Sequence, residues 1–203
     1  MKIFKTAMIF ILAAVIALLS ACGKPAHDNG GEEPFPGFTE AQRERIEELA
    51  ELFSVFGPCD IEEGLPMNKI EGLIPCHWAD KLPEAELKGY GRVTVEEADE
   101  FIDSVLKGVK LGGINRTSYD PTVEQDCFVL NGYYYIKLSG RELSAKIISI
   151  ETLEIEDGET KPVRAVADVY DGDELLTRVT LRLRPDGADG FYILKAELGD
   201  YSI

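Results

Sequence analysis

From Phe38 onward the apolar positions follow two periods, first helical and then extended. Ile46, Leu49, Ala50, Phe53 and Phe56 recur at steps of three and four. That spacing places them on one face of a helix spanning Phe38–Phe56. Arg43, Glu44, Glu47, Glu48 and Glu51 occupy the remaining faces and read as a solvated outer surface. Thr39 with Gln42 forms a capping box, and Gly57-Pro58 stops the helix. A second helix is predicted over Val95–Lys107. Thr94 with Glu97 caps it, Gly108 ends it, and Ala98, Phe101, Ile102, Val105 and Leu106 form its apolar stripe. Glu96, Glu97, Asp99 and Glu100 crowd its first turns, where the helix dipole favours acids. That explains the charge run without a metal.

Cys59 to Gly91 carries no clear period. Pro66, Pro75 and Pro83 divide it. Short helical turns are predicted at Pro66–Glu71 and Pro83–Leu87, each with proline in its first turn. The stretch also holds the single tryptophan, Trp78, beside His77 and Asp80.

Beyond it the period shortens to two. Cys127–Leu138 contains Asn131-Gly132 between apolar residues, a hairpin signal. Leu143–Glu156 is long for one flat strand and has Ile147 and Ile148 side by side, so a bulge or bend is expected there. Pro162–Tyr170, Glu174–Arg184 and Phe191–Leu198 follow, separated by Asp171-Gly172 and by Pro185–Gly190. Asp157-Gly158 turns the chain between the first two of these four strands. Leu175, Thr177, Val179, Leu181 and Leu183 alternate with Arg178, Arg182 and Arg184. Short turns between successive strands predict an antiparallel meander.

The first 37 residues obey neither period. Lys2 and Lys5 precede an apolar run from Met8 to Leu19. The run is shorter than the roughly 20 residues a membrane span needs, so a cleavable export signal over residues 1–21 is expected. Leu19-Ser20-Ala21-Cys22 resembles the lipobox of bacterial lipoproteins. The resemblance implies a diacylglyceryl group on the Cys22 thiol, cleavage just before it, and a chain held at the cell membrane on its extracytoplasmic face. Residues 22–37, rich in Gly, Pro and acids, cannot bury enough apolar surface to repay ordering and read as a tether. His27 lies in it and has no expected ligand role. Residues 38–203 read as one α+β domain.

The formal net charge of the 203-residue chain is −16. That balance excludes nucleic acid as a partner, because such binding rests on Lys and Arg neutralising phosphates. It also opposes docking flat on anionic lipid. With Cys22 assigned to lipid, Cys59, Cys76 and Cys127 remain. An odd number leaves at least one thiol unpaired. Cys59 and Cys76 each follow a proline and are the candidates for a disulfide; Cys127 reads as a small core residue.

Helices first and a long, curved antiparallel β-meander after define an α+β fold with the N-terminal helices packed on one face of the sheet. In element order and strand length, residues 38–198 resemble the nuclear transport factor 2-like fold. A cystatin-like sheet wrapping a helix is the near alternative. The resemblance implies helices in the concave side of a bent sheet and a conical cavity between them. Some members of that group are binding or assembly modules. Others are small-molecule isomerases or dehydratases with Asp, His or Tyr in the cavity.

Candidate chemistry is sparse. No Gly-x-Ser-x-Gly is present and His77 is the one histidine of the domain. His77 and Asp80, three apart on a helical turn, are the candidate base and orienter. Cys59, Cys76, His77 and Cys127 are metal-ligand types but contain no Cys-x-x-Cys pair, so no metal and no cofactor is expected. Asp171-Gly172-Asp173-Glu174 and Asp186–Gly190 lack the ligand spacing of a calcium loop and read as turns. Tyr133-Tyr134-Tyr135 reads as strand formers. The sequence therefore points to an exported, lipid-anchored module that binds a protein, peptide or small molecule. An envelope enzyme built on His77 and Asp80 is the alternative.

Overall fold

The computed structural model describes residues 35–61, 63–65, 67–107, 116–154 and 160–199, without the side chains of 67 and 68. The signal stretch, Cys22, residues 23–34 of the tether with His27, the Gly108 stop and the Asp157-Gly158 turn lie outside the described residues.

Helix α1 covers Glu40–Phe56. The Thr39 hydroxyl accepts the Gln42 N–H at 3.2 Å, and the Gln42 side chain accepts the Thr39 N–H at 3.0 Å, so the expected capping box is complete. The same two side chains tie the helix start to a distant turn. Thr39 Oγ1 donates to Asp189 Oδ1 at 2.9 Å, and Gln42 Nε2 donates to the Ala188 carbonyl at 2.8 Å. Strand β1 (Cys59–Asp60) is short. Helix α2 (Met67–Ile70) falls within the turn expected at Pro66–Glu71.

Helix α3 (Leu73–Trp78) was not foreseen from the sequence. Pro75 sits in its first turn, where an amide N–H has no helical partner to lose. The expected turn at Pro83–Leu87 is not helical. That segment instead folds back onto β2 (Tyr90–Thr94), the Ala85 N–H donating to the Tyr90 carbonyl at 2.7 Å. Gly91 permits this approach: a Cβ there would lie 2.5 Å from Leu82 Cβ. Helix α4 (Val95–Val105) follows β2 directly, with the expected Thr94/Glu97 capping box, and buries Ala98, Ile102 and Val105.

Strands β3 (Cys127–Leu130) and β4 (Tyr133–Lys137) form the expected hairpin, with Asn131 and Gly132 at φ 52° and 83°. Both residues thus adopt the positive φ that a tight two-residue turn demands. Strands β5 (Leu143–Thr152), β6 (Val163–Asp171), β7 (Glu174–Asp186) and β8 (Gly190–Gly199) form an antiparallel meander. The register between β5 and β6 slips between Ile147 and Ser149, the bulge that adjacent isoleucines foreshadowed.

The α+β class with antiparallel strands is as read from the sequence. The single continuous meander is not. β3 and β4 leave it to pair with β2 in a three-stranded sheet of order β2-β4-β3. The larger sheet has order β1-β8-β7-β6-β5. Strand β2 was missed because Gly91 takes an inward position where a large apolar side chain would have marked the alternation.

Helix α1 lies across β5 to β8. Its Ile46, Leu49, Ala50, Leu52 and Phe53 are buried, as are Ala165, Ala167, Val169, Val179, Leu181, Leu183 and Ile193 of the sheet. Small Ala165 and Ala167 lie in the central part of β6, which lets helix and sheet approach to interior packing density. Large apolar side chains thus fill this helix–sheet layer. The opposite face carries Arg164, Arg178 and Arg182, with Arg178 holding Asp168 bidentately at 2.7 and 2.9 Å.

Candidate functional site

The expected partners His77 and Asp80 face different surroundings. The His77 ring stacks on Phe101 of α4, centroids 4.0 Å apart and planes 16° apart, with Trp78 edge-on to both rings. Its Nδ1 lies 3.5 Å from Lys81 Nζ and 3.7 Å from Glu48 Oε1. Burial, reinforced by the Lys81 charge, lowers the His77 pKa to about 4. A neutral ring with its proton on Nε2 leaves Nδ1 to accept from Lys81. His77 and Trp78 therefore pin α3 to α4.

Asp80 lies two residues beyond α3 and lines a cleft of about 220 Å³ with Val55, Pro75, Cys76, Ala79, Ser139, Arg141 and Leu143. Three elements build this cleft. The end of α1 supplies Val55. Helix α3 and its exit supply Pro75, Cys76, Ala79 and Asp80, the exit held by the Ala79 N–H donating to the Pro75 carbonyl at 3.0 Å. The β4–β5 connection supplies Ser139, Arg141 and Leu143. Its Ser139 N–H donates to the Ala79 carbonyl at 2.8 Å, fixing one wall to the other. Gly140 adopts φ 66°, and the Arg141 N–H returns to Ser139 Oγ at 3.3 Å. That tight turn is what brings Arg141 to the cleft.

Two groups of opposite charge in the cleft have bonding capacity to spare. Asp80 Oδ1 is buried and has no hydrogen-bond partner. A buried acceptor left without a donor costs about 1–3 kcal/mol. Arg141 Nε lies 3.9 Å from Asp171 Oδ2, and the guanidinium makes no closer ionic contact among the described residues. The floor is apolar: Val55, Pro75, Ala79 and Leu143. Cys76 contributes a thiol whose pKa burial pushes up to about 11, so it is a neutral wall and a poor nucleophile.

The candidate disulfide is absent. Cys59, Cys76 and Cys127 are all free thiols. Cys59 pairs with Ala196 on β1, at one edge of the larger sheet. Cys76 faces the cleft with Leu143 of β5, the opposite edge strand. Four strand spacings, on the order of 19 Å along the sheet, separate those edges. A disulfide requires Cα atoms within about 7 Å. Spacing along the chain carried no information about this topology.

Two other depressions, near β1 and on the outer face of the sheet, are lined by Lys195 and Glu197. There the charges satisfy one another, Lys195 Nζ lying 3.1 Å from Glu197 and 3.4 Å from Asp60. Among the described residues no group of three or more His, Cys, Asp or Glu is placed to hold a metal ion, and no helix is long and apolar enough to cross a membrane.

Fold and cleft together define an α+β domain with a small mixed-charge recess between its helical and sheet layers. The chain matches no family model, no curated protein and no solved structure at a significant level. The sequence signal did reach part of the site: Cys76 and Asp80 line it. Arg141, Ser139 and Leu143 were missed, since only the fold of the β4–β5 connection brings them to α3.

Proposed function

We propose that this chain is a lipid-anchored extracytoplasmic binding module whose cleft at Asp80 and Arg141 takes a small polar ligand. The observation that carries the reading is the unpartnered Asp80 Oδ1 beside an Arg141 guanidinium held only loosely, in a recess with an apolar floor. Ligand sites combine apolar lining with a few placed polar groups in this way. The anchor reading rests on the Leu19–Cys22 motif and the basic and apolar stretch before it. Two acyl chains give stable anchoring where one gives marginal binding. Catalysis by a His77–Asp80 pair has no geometric support, because His77 meets Glu48 and Lys81 instead.

Two measurements test the proposal. Membrane fractionation of Cys22→Ser, with intact mass to report signal cleavage, tests the anchor. A processed variant that still needs detergent for release would overturn it. A thermal-shift panel of sugars, amines, carboxylates, nucleosides and amino acids tests the cleft. At least one class should raise Tm in the wild type and fail to do so in Asp80→Asn/Arg141→Ala. A flat panel, or a shift that survives in the double variant, would overturn the cleft as a small-ligand site.

A further inference from the structure

The cleft contains more information than its existence. Asp80 Oδ1 is an acceptor with no donor, removed from solvent. A carboxylate oxygen in that state is best satisfied by a cationic donor, since charge-assisted hydrogen bonds are about twice as strong as neutral ones. Arg141 presents the complement. Its Nη groups make no hydrogen bond among the described residues, and its one ion pair, to Asp171, is long at 3.9 Å. A guanidinium fork matches a carboxylate bidentately. Both groups line the same recess of about 220 Å³. That is below the roughly 300–1,000 Å³ typical of sites for larger ligands. One molecule reaching both groups is therefore small and carries its ammonium and carboxylate close together.

The rest of the lining sets the third substituent. Val55, Pro75, Ala79 and Leu143 are aliphatic, and the neutral Cys76 thiol adds a small polarisable surface. No aromatic ring lines the cleft for stacking. Resting on the reading of this cleft as a binding site, we infer that its ligand is a free α-amino acid with a short aliphatic side chain, ammonium on Asp80 and carboxylate on Arg141. A peptide terminus offers only one of the two charges, so it engages the cleft by half.

Calorimetry on the full chain in detergent micelles tests this with three probes: L-valine, N-acetyl-L-valine and L-valinamide. L-Valine should bind, and each blocked derivative should bind at least tenfold more weakly. Asp80→Asn should weaken L-valine at least tenfold and leave residual N-acetyl-L-valine binding unchanged. Arg141→Ala should do the same for L-valine and leave L-valinamide unchanged, with Arg141→Lys recovering part of the loss. Circular dichroism checks that each variant is folded. N-Acetyl-L-valine or L-valinamide binding as tightly as L-valine would overturn the zwitterion and leave the cleft standing as a site for a single charge. No heat from L-valine, L-alanine or glycine at millimolar concentration would overturn the amino-acid assignment. The wider thermal-shift panel then decides separately whether the cleft binds anything.

Discussion

The His77 ring lies flat against Phe101, its centroid 4.0 Å away, and the burial of the ring at this position holds its proton affinity down. A charged imidazolium there would lose water and face Lys81 and Arg45, with only Glu48 to offset them. Stability should therefore depend on pH in a defined window. The unfolded ring binds a proton near 6.5, the folded ring near 4. Between those values the unfolded state holds more protons, so folding stability falls as pH drops from about 6.5 to about 4. Urea unfolding across that range should show the loss, on the order of 2–3 kcal/mol. His77→Leu should flatten it. An NMR titration of His77 with a midpoint near 6.5 would contradict this account.

How much of this was legible beforehand depended on the range of the interaction. Thr39/Gln42 and Thr94/Glu97 were readable because a capping box is closed within four residues. Asn131-Gly132 was readable because a two-residue turn needs positive φ at both positions. The Ile147–Ser149 bulge was readable because adjacent isoleucines break the alternation within a single long strand. Strand pairing was not. The choice of β4 between β2 and β5 depends on residues far apart in sequence, and so does the meeting of Asp80 with Arg141. The helical turn around Pro75 was hidden for a different reason, since a first-turn proline looks like a breaker until the helix start is known.

All three described thiols should be slow to react. Burial raises Cys59 and Cys76 to about 11 and Cys127 to about 12. Thiolate is the reactive form, so at pH 8 each is almost wholly protonated. Iodoacetamide should modify them slowly in native protein and quickly in urea. Intact mass before and after reduction should be unchanged for the Cys59/Cys76 pair, because Cys59 lies on one edge strand and Cys76 on α3 beside the opposite edge strand. A two-dalton gain on reduction, assigned to these residues, would refute the placement of α3 beside β5, across the sheet from β1.

Glu51 should matter as an acceptor more than as a charge. Its Oε1 accepts the Ala145 N–H at 3.2 Å, covering a backbone donor on edge strand β5. Burial raises the Glu51 pKa, with Asp80 adding to the effect. A raised carboxylate contributes stability below its unfolded pKa and loses it as pH rises through the folded value. At pH 7 the charge is therefore a cost. Glu51→Gln keeps the acceptor and should be neutral or stabilising at pH 7. Its advantage should shrink as pH falls toward 4. Glu51→Ala leaves the Ala145 N–H uncovered and should cost about 1 kcal/mol. Faster amide exchange at Ala145 in the alanine variant would assign the cost to that bond.

Thr39 should be worth more than an ordinary helix cap. Its hydroxyl accepts the Gln42 N–H and donates to Asp189 Oδ1 in the β7–β8 turn, joining the first helix to the far end of the chain. Losing an N-cap side chain costs about 0.5–2 kcal/mol, and the link to Asp189 adds to that. Thr39→Ala should lower the urea midpoint, whereas Thr39→Ser keeps both bonds and should stay close to wild type. Asp189→Ala should cost less, since its carboxylate is exposed. The double variant isolates the pairwise part. Contacting residues couple by about 0.5 kcal/mol or more, and independent ones add. Strict additivity of Thr39→Ala and Asp189→Ala would mean that the turn and the helix start do not support each other in solution.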